Sequence, residues 1–340
     1  MTNRRIVLAS RPTGEPVQEN FRLEIEELGS PQEGQVLLKT LYLSVDPYMR
    51  GRMSDGPSYI PPFELNQPLA GANVSQVLES RVTGFTPGDI VAGFGGWQEY
   101  SLIPATGLRK LDPAAAPVST ALGILGMPGM TAWAGLLNIG QPKPGETVVV
   151  AAAAGAVGSA VGQIARLKGC RAIGIAGGPA KCASVVKDLG FDACLDHRSP
   201  TLAEDLKAAC PSGIDVYFEN VGGAVFEAVL PLINNFGRVP MCGLIAQYNM
   251  TEAPPGPDRT PAVMRAILTK RLTFRGFIVS DFNSQLPEFH REMSAWVREG
   301  KIRYHEEIAE GIENAPAAFM SMLKGGNTGK MLVRMTSDHM

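Results

Sequence analysis

The segment from Thr147 to Gly162 constrains the fold of this chain more than any other stretch. Its uncharged, β-branched run at 148–150 predicts a strand that is covered on both faces. The glycines that follow predict a tight turn and a helix packed closely on that strand, and the N–H groups at the start of such a helix suit a pyrophosphate. Ala153 stands at the first position of the Gly-x-Gly-x-x-Gly pattern, so the motif alone is also compatible with glycines that serve packing only.

The context of this motif favours dinucleotide binding, because a second strand follows at 171–175, as a βαβ unit requires. A site for NAD places Asp or Glu at the end of that second strand. This chain instead has Ala-Gly-Gly-Pro-Ala-Lys at 176–181, without a carboxylate. Small residues leave room for a 2′-phosphate and Lys181 supplies a positive charge, so NADPH is the expected cofactor. The alternative for Lys181 is a solvated helix residue.

Alternation of strands and helices continues through the middle of the chain and predicts a doubly wound α/β domain with a six-stranded parallel sheet. After the first strand, further strands are expected at 171–175, 193–196, 214–219, 237–242 and 272–279, with helices at 180–189, 201–209, 225–233 and 262–270.

The two ends of the chain have a different character. Residues 4–101 predict short strands at 36–43, 90–94 and 97–101 with Pro and Gly turns, which is typical of a small barrel or sandwich. Helices are expected at 286–300 and 310–324. A last strand at 330–335 has no parallel partner left, so we expect it to return to the N-terminal β domain. The loop at 46–62, rich in aromatic, Met and Arg residues, either contacts substrate or packs for its own sake.

Composition argues against several classes of partner and location. A formal net charge of −2 and a pI of about 6.1 provide no basic surface for nucleic acid or for anionic membranes. The uncharged stretch between Asp112 and Lys143 is interrupted by Pro and Gly, so a buried helix is expected there rather than a membrane span. Five cysteines without a Cys-x-x-Cys pair favour reduced thiols in a cytoplasmic protein.

Seven segments in a fixed order carry a family resemblance: 45–52 (VDPYMRGR), 127–132 (MPGMTA), 153–162 (AAGAVGSAVG), 218–223 (FENVGG), 242–249 (CGLIAQYN), 276–279 (GFIV) and 325–330 (GGNTGK). Together they resemble the medium-chain dehydrogenase/reductase superfamily over essentially the whole chain. They resemble in particular its zinc-free, NADPH-dependent alkenal/one double-bond reductases, which include the prostaglandin and curcumin reductases.

This resemblance implies a Rossmann doubly wound parallel sheet in residues 123–304, the NADP-binding domain. It implies a GroES-like β-barrel catalytic domain in residues 1–122 and 305–340, and a homodimer. The zinc-dependent branch carries a Cys in an early loop and Gly-His-Glu downstream, whereas this chain has Ser-Val-Asp at 44–46 and Pro-Leu-Ala-Gly at 68–71. Without a thiolate or imidazole at these positions, no metal site is expected.

The resemblance also implies a set of cofactor contacts, with Thr131 expected near the nicotinamide. His197 stands where relatives often place a tyrosine beside the 2′-phosphate, and Arg198 follows it. The implied cofactor-binding residues are Thr131, Gly155, Ala156, Val157, Gly158, Lys181, His197, Asn220, Cys242, Gly243, Tyr248, Phe277, Val279 and Asn327.

The implied activity is NADPH-dependent reduction of the C=C bond of α,β-unsaturated aldehydes or ketones, with hydride delivered to the β-carbon. The charge that develops on the carbonyl oxygen needs a hydrogen-bond donor. Tyr248 is the first candidate for this catalytic role, followed by Tyr59 and Tyr48, because a phenol is protonated at neutral pH and can relay a proton. The alternative for Tyr248 is an aromatic ring that stacks on the cofactor. Two other functions stay open: an NADPH:quinone oxidoreductase, and an NADPH-binding protein with little turnover.

Overall fold

Short β-branched runs separated by Gly and Pro turns form the strands of this protein, whose computed structural model describes residues 1–254 and 256–335. The strands are β1 (Thr2–Leu8), β2 (Phe21–Glu27), β3 (Gln35–Ser44), β4 (Asn73–Ser80), β5 (Ile90–Gly93), β6 (Tyr100–Pro104), β7 (Arg109–Leu111), β8 (Thr147–Ala151), β9 (Arg171–Ala176), β10 (Ala193–Asp196), β11 (Ile214–Phe218), β12 (Ile233–Met241), β13 (Thr273–Gly276), β14 (Glu306–Glu310) and β15 (Lys330–Arg334).

Five of the α-helices have a proline in the first turn, where its missing N–H has no helical partner to lose; these are Pro128, Pro179, Pro261, Pro287 and Pro316. The helices are α1 (Met49–Arg52), α2 (Met127–Ala134), α3 (Ala156–Leu167), α4 (Pro179–Lys187), α5 (Leu202–Ala209), α6 (Gly223–Val229), α7 (Thr260–Lys270), α8 (Leu286–Arg298) and α9 (Ala315–Leu323). Within the described residues, no helix combines the length and the apolar character needed to cross a bilayer.

The elements group into two units, which we describe separately. One, the β unit, consists of Met1–Gly123 and the C-terminal segment from Glu306, and the other, the α/β unit, consists of Ile124–His305. The domain boundaries expected at 122/123 and 304/305 stay a prediction about where independently folding domains begin and end. Residues 336–340 of the expected β domain lie outside the described residues.

The α/β unit is built on a parallel sheet with the strand order β10-β9-β8-β11-β12-β13. Counted from β8 this is 3-2-1-4-5-6, the order of a Rossmann fold. Strand β8 is buried along its whole length. Val148 and Val150 pack in one core cluster with Ile164 of α3, while Val149 packs on the opposite face with Leu206 of α5. The predicted six-stranded, doubly wound parallel sheet is therefore confirmed.

The β unit is organised around the long strand β3. Its first half pairs with β6 and its second half with β15, both antiparallel, while β4 runs along its other edge. In β15, Leu332 lies opposite Ser44 of β3. The expected return of the last strand to the N-terminal β domain is therefore confirmed.

Several predicted elements begin or end elsewhere in the structure. The helix expected at 225–233 ends at Val229, and β12 already begins at Ile233 rather than at 237. The helix expected at 310–324 begins only at Ala315, and β14 (Glu306–Glu310) precedes it. The Glu- and Ala-rich sequence of β14 favours a helix locally, but its parallel pairing with β15 overrides that propensity. The last strand of the parallel sheet ends at Gly276 rather than at 279, because Phe277 turns into the core against Phe218. The strand expected at 97–101 begins at Tyr100.

Candidate active site

The turn after β8 brings the start of helix α3 close to the strand. Ala152 adopts a left-handed conformation with φ of 53°, and the N–H of Ala153 donates to the carbonyl of Ile175 in β9 at 3.0 Å. Gly155 is the N-cap of α3, and no acidic residue lies in the first helical turn. A Cβ at Gly158 would lie 2.3 Å from the carbonyl oxygen of Ala152, so only glycine allows this approach. The helix N-terminus therefore presents N–H groups and positive potential next to the strand end.

The carboxyl ends of the neighbouring strands are tied to this turn. The Asn220 amide donates to the carbonyl of Ala151 at 2.8 Å, which joins the ends of β11 and β8. The carbonyl of Glu219 accepts from the N–H groups of Cys242 at 2.9 Å and Gly243 at 3.1 Å, which joins β11 to the segment after β12. Predicted site residues from three strands thus meet at one edge of the sheet. Ligands of open α/β sheets bind at this edge.

Basic side chains gather where β9 and β10 end. A Cβ at Gly177 would lie 2.9 Å from His197 Nε2 and 3.4 Å from an Arg198 guanidinium nitrogen, so these two side chains cover the Gly177 backbone. Lys181 is close enough to lower the pKa of His197, but burial is the largest cause of that lowering and Arg198 the second.

Asp196, which directly precedes His197 and Arg198 in the chain, accepts hydrogen bonds from the backbone. Asp196 accepts from the N–H of Gly178 at 2.8 Å and from the N–H of Arg198 at 2.9 Å. These bonds, with that of Arg198 the largest cause, hold the pKa of Asp196 below its usual range. Lys181 and Arg198 place two positive charges beside this carboxylate, so the surface formed by His197, Arg198 and Lys181 is suited to an added anion.

Tyr248 follows a short 3-10 helix, Ile245–Gln247, after β12. Its hydroxyl oxygen accepts from the N–H of Leu244 at 3.4 Å, and a Cβ at Gly243 would lie 3.1 Å from the same oxygen. A phenol that accepts such a bond still has its own proton to donate. Burial raises the pKa of the neighbouring Cys242 thiol to about 12, so this cysteine is a weak nucleophile.

The remaining predicted residues of the α/β unit serve packing in the structure. Thr131 is buried in α2, and its hydroxyl donates to the carbonyl of Met127 at 2.8 Å. Phe277 is a core residue with its ring edge-on to Phe218, and Val279 packs on the same cluster. Their contacts with a cofactor stay predictions.

The β unit holds the other candidates. Tyr48 is half-buried beside α1, and burial, followed by the negative charge of Asp46, raises its phenol pKa well above the ordinary value. The pKa of Tyr48 also responds to Tyr59, so the two phenols lie close enough to interact electrostatically, and Tyr59 is 62% exposed. Asn327 donates to the carbonyl of Gly329 at 2.8 Å.

Sequence reasoning missed two buried charged residues that organise these segments. Lys330 is 4% exposed, and its ammonium group donates to the carbonyl of Val45 at 2.7 Å and lies 3.3 Å from a carboxylate oxygen of Asp46. It therefore holds the segment that leads to Tyr48. Glu219 is 0% exposed and lies at the end of β11. In the sequence, Lys330 and Glu219 are charged residues at one end of an apolar strand. A charged side chain is rarely buried without a partner.

Comparison with known proteins decides the family. Residues 4–111 match the family described as N-terminal domain of oxidoreductase, and residues 156–295 match the family described as zinc-binding dehydrogenase. The chain is 56% identical over 337 residues to the NADPH-dependent curcumin reductase of Escherichia coli (strain K12), covering 99% of this chain and 98% of the relative. This chain belongs to the medium-chain dehydrogenase/reductase family.

Other members of the family agree with this assignment. The NADP(+)-dependent 2-alkenal reductase of Nicotiana tabacum is 39% identical over 347 residues, with 99% of both chains covered. The crystal structure of CurA from Vibrio vulnificus in complex with NADPH superimposes with a TM-score of 0.96 at 50% identity, covering 98% of this chain and 100% of that one. The expected fold class, a Rossmann sheet plus a GroES-like β domain, is thereby confirmed.

The zinc-binding description of one matching family raises the question of a metal. In residues 1–254 and 256–335, no three His, Cys, Asp or Glu side chains are grouped so that they could hold an ion. The described residues therefore do not fit a zinc ion.

Proposed function

We propose that this chain reduces the C=C bond of α,β-unsaturated aldehydes and ketones with NADPH, delivering a hydride to the β-carbon. The observation that carries the proposal is near full-length similarity to the NADPH-dependent curcumin reductase and to the NADP(+)-dependent 2-alkenal reductase. Both names describe reductases of conjugated or unsaturated molecules. The chain is an NADP-dependent oxidoreductase that acts on C=C bonds.

The residues at the sheet edge fit NADPH, the cofactor of this enzyme. The start of α3, including Gly155, Ala156, Val157 and Gly158, would hold the pyrophosphate at an N-terminus without acidic residues. Lys181, the partly exposed His197 and Arg198 would hold the 2′-phosphate. When bound, NADPH supplies the hydride.

The nicotinamide half would be held by Asn220, Cys242 and Gly243, which follow the ends of β11 and β12. Thr131, Phe277 and Val279 of the same unit, and Asn327 of the β unit, complete the proposed set. For the last four, support comes from the family resemblance rather than from a side-chain contact.

A tyrosine would stabilise the negative charge on the substrate carbonyl oxygen. Tyr248 is the first candidate, because its hydroxyl oxygen accepts from the N–H of Leu244 and its proton can be donated. Tyr59 and Tyr48 of the β unit follow. The raised pKa of Tyr48 keeps its phenol protonated, which a hydrogen-bond donor requires.

We also propose that the enzyme is a cytoplasmic homodimer. All five cysteines are free thiols, as the reducing cytoplasm would keep them. Strand β13 is the last strand of the parallel sheet among the described residues, and its Thr273, Arg275 and Gly276 are exposed. Nearby on α7, Leu268 is 77% exposed. An open sheet edge with apolar neighbours is suited to pairing with a second copy. That the enzyme has no nucleic-acid partner stays a prediction.

The proposed reaction is tested by offering short enals, enones and quinones with NADPH and NADH side by side. We expect NADPH oxidation to match formation of the saturated aldehyde or ketone, and NADPH to be preferred. Oxidation with quinones alone would make the enzyme a quinone oxidoreductase. Tight NADPH binding without turnover on the whole panel would instead indicate a binding protein.

Cofactor selectivity should depend on the cations at the ends of β9 and β10. Lys181→Ala and Arg198→Ala are each expected to weaken NADPH binding roughly tenfold and to leave NADH binding unchanged, because only NADPH carries the 2′-phosphate. Fluorescence titration measures both. Lys187→Ala, in the last turn of the same helix, is the matched control. An equal loss of NADH affinity would contradict this role.

The same site should respond to pH through His197. Its pKa is lowered in the free protein, and a bound phosphate favours the imidazolium, so NADPH binding takes up a proton. NADPH affinity should therefore rise as the pH falls from about 8 to about 6. Because the phosphate also titrates near this range, the informative quantity is the difference from His197→Gln, in which the histidine contribution is absent. Parallel pH profiles for the two proteins would contradict the coupling.

The tyrosine roles are separated by phenylalanine substitutions that keep each ring. If Tyr248 donates to the carbonyl oxygen, Tyr248→Phe should lower kcat about 100-fold with little change in NADPH affinity. A stacking role predicts nearly full activity instead. Tyr59→Phe and Tyr48→Phe are measured in parallel, with Tyr42→Phe in β3 as the control. Full activity in all three candidates would remove tyrosine from the mechanism.

The assembly is measured by sedimentation velocity, in which the homodimer should run at twice the 36.2 kDa chain mass. Leu268→Glu on α7 should shift it toward the monomer, because the charge would be buried against the partner. Ile25→Glu in β2, at a position that is 71% exposed, serves as the control. A wild-type protein that sediments as a monomer would refute the proposal.

A further inference from the structure

A fully buried carboxyl group lies beneath the proposed nicotinamide end. Glu219 follows the apolar strand β11 and is 0% exposed. Its Oε1 accepts from the N–H of Val221 at 2.6 Å and from the N–H of Gly222 at 2.9 Å. A glutamate without solvent contact is rare, and its burial is unfavourable unless its oxygens are hydrogen-bonded.

Both of these N–H groups belong to the turn that joins β11 to α6. Gly222 and Gly223 have φ of 78° and 56°, so the backbone here cannot form the bonds of a regular strand or helix. The carboxyl oxygen takes the place of the missing backbone acceptor. Its removal would leave two N–H groups near the core without a partner, which is unfavourable.

The turn formed by residues 220–223 also supports the neighbouring segment after β12. The carbonyl of Asn220 accepts from the N–H of Ile245 at 3.2 Å, and the carbonyl of Val221 accepts from the N–H of Ala246 at 3.0 Å. These residues form the 3-10 helix that precedes Tyr248. The conformation of the turn therefore determines where Asn220 and Tyr248 lie.

The surroundings of Glu219 indicate that its oxygen matters more than its charge. The phenol of Tyr217 and the thiol of Cys242 face it, and both are groups whose pKa burial raises. Burial also raises the pKa of Glu219 itself, although the N–H groups of Val221 and Gly222 oppose the shift. A glutamine, which keeps an acceptor oxygen without charge, should therefore replace it well.

We propose that Glu219 is a positioning residue for cofactor binding, acting through the 220–223 turn on Asn220 and on the segment that carries Tyr248. The inference deepens the proposed function and rests on it. Glu219 itself contacts neither cofactor nor substrate; its carboxyl oxygen holds the backbone that does.

The test compares three variants of the full-length enzyme. Glu219→Leu keeps the size but removes the acceptor, and should raise the Kd for NADPH about tenfold and lower kcat for an enone. Glu219→Gln keeps the acceptor and should stay within about twofold of wild type in both quantities. Tyr217→Phe removes the buried hydroxyl that interacts with the Glu219 carboxyl but leaves the acceptor of both N–H bonds in place, so it should leave the Kd unchanged.

Thermal unfolding without cofactor shows whether each variant is folded at the assay temperature. If Glu219 only stabilised the fold, a variant that is folded at that temperature would bind NADPH with wild-type affinity. If Glu219→Leu does not fold, Glu219→Asp replaces it in the test. Its side chain is one methylene shorter and cannot reach both N–H groups, so the Kd of this variant for NADPH should rise at least about threefold. A folded Leu or Asp variant with wild-type affinity, or a Gln variant as impaired as Leu, would overturn the inference. Failure of the wild type to bind NADPH would refute the proposed function instead.

Discussion

Burial of strand β8 on both faces is the constraint on which the rest of the α/β unit depends. Val148 and Val149 point to opposite helical layers, and each buried side chain of this type contributes about 1.5–3 kcal/mol. A strand held this firmly has a defined end. The position of that end determines where the glycine turn begins, and Asn220 then ties the neighbouring strand to it through the carbonyl of Ala151.

The charge at this edge of the sheet depends on the absence of a carboxylate after β9 as well as on the basic side chains that lie there. The end of β9 carries two glycines, and the carboxylate of Asp196 is already satisfied by backbone N–H groups. The charges of Arg198 and Asp196 attract each other, but Lys181 adds a second cation beside this carboxylate, so the balance of charge here stays positive. In the proposed site, this arrangement would discriminate between dinucleotides at a distance from the reacting atoms, so selectivity for the cofactor and chemistry on the substrate would depend on different residues.

The parts of the molecule that could be predicted from sequence are those that local chemistry decides. Apolar runs and glycine turns reveal the parallel sheet, because a strand such as β8 is apolar wherever it is covered. Strand β14 could not be found in this way, since its Glu-rich sequence is a strand only beside β15. The positions of Glu219 and Lys330 were also hidden. Their importance comes from burial, and burial is decided by segments distant in the chain.

The β unit is assembled from both ends of the polypeptide, with Leu332 beside Ser44. During synthesis, the second half of β3 must therefore wait until its neighbour β15, which lies far later in the chain, has left the ribosome. The α/β unit, being contiguous, has all of its strands available earlier. Until then, the second half of this β3 edge is exposed and open to wrong pairing, so synthesis of β15 ends the interval in which the nascent chain is vulnerable to aggregation at this edge.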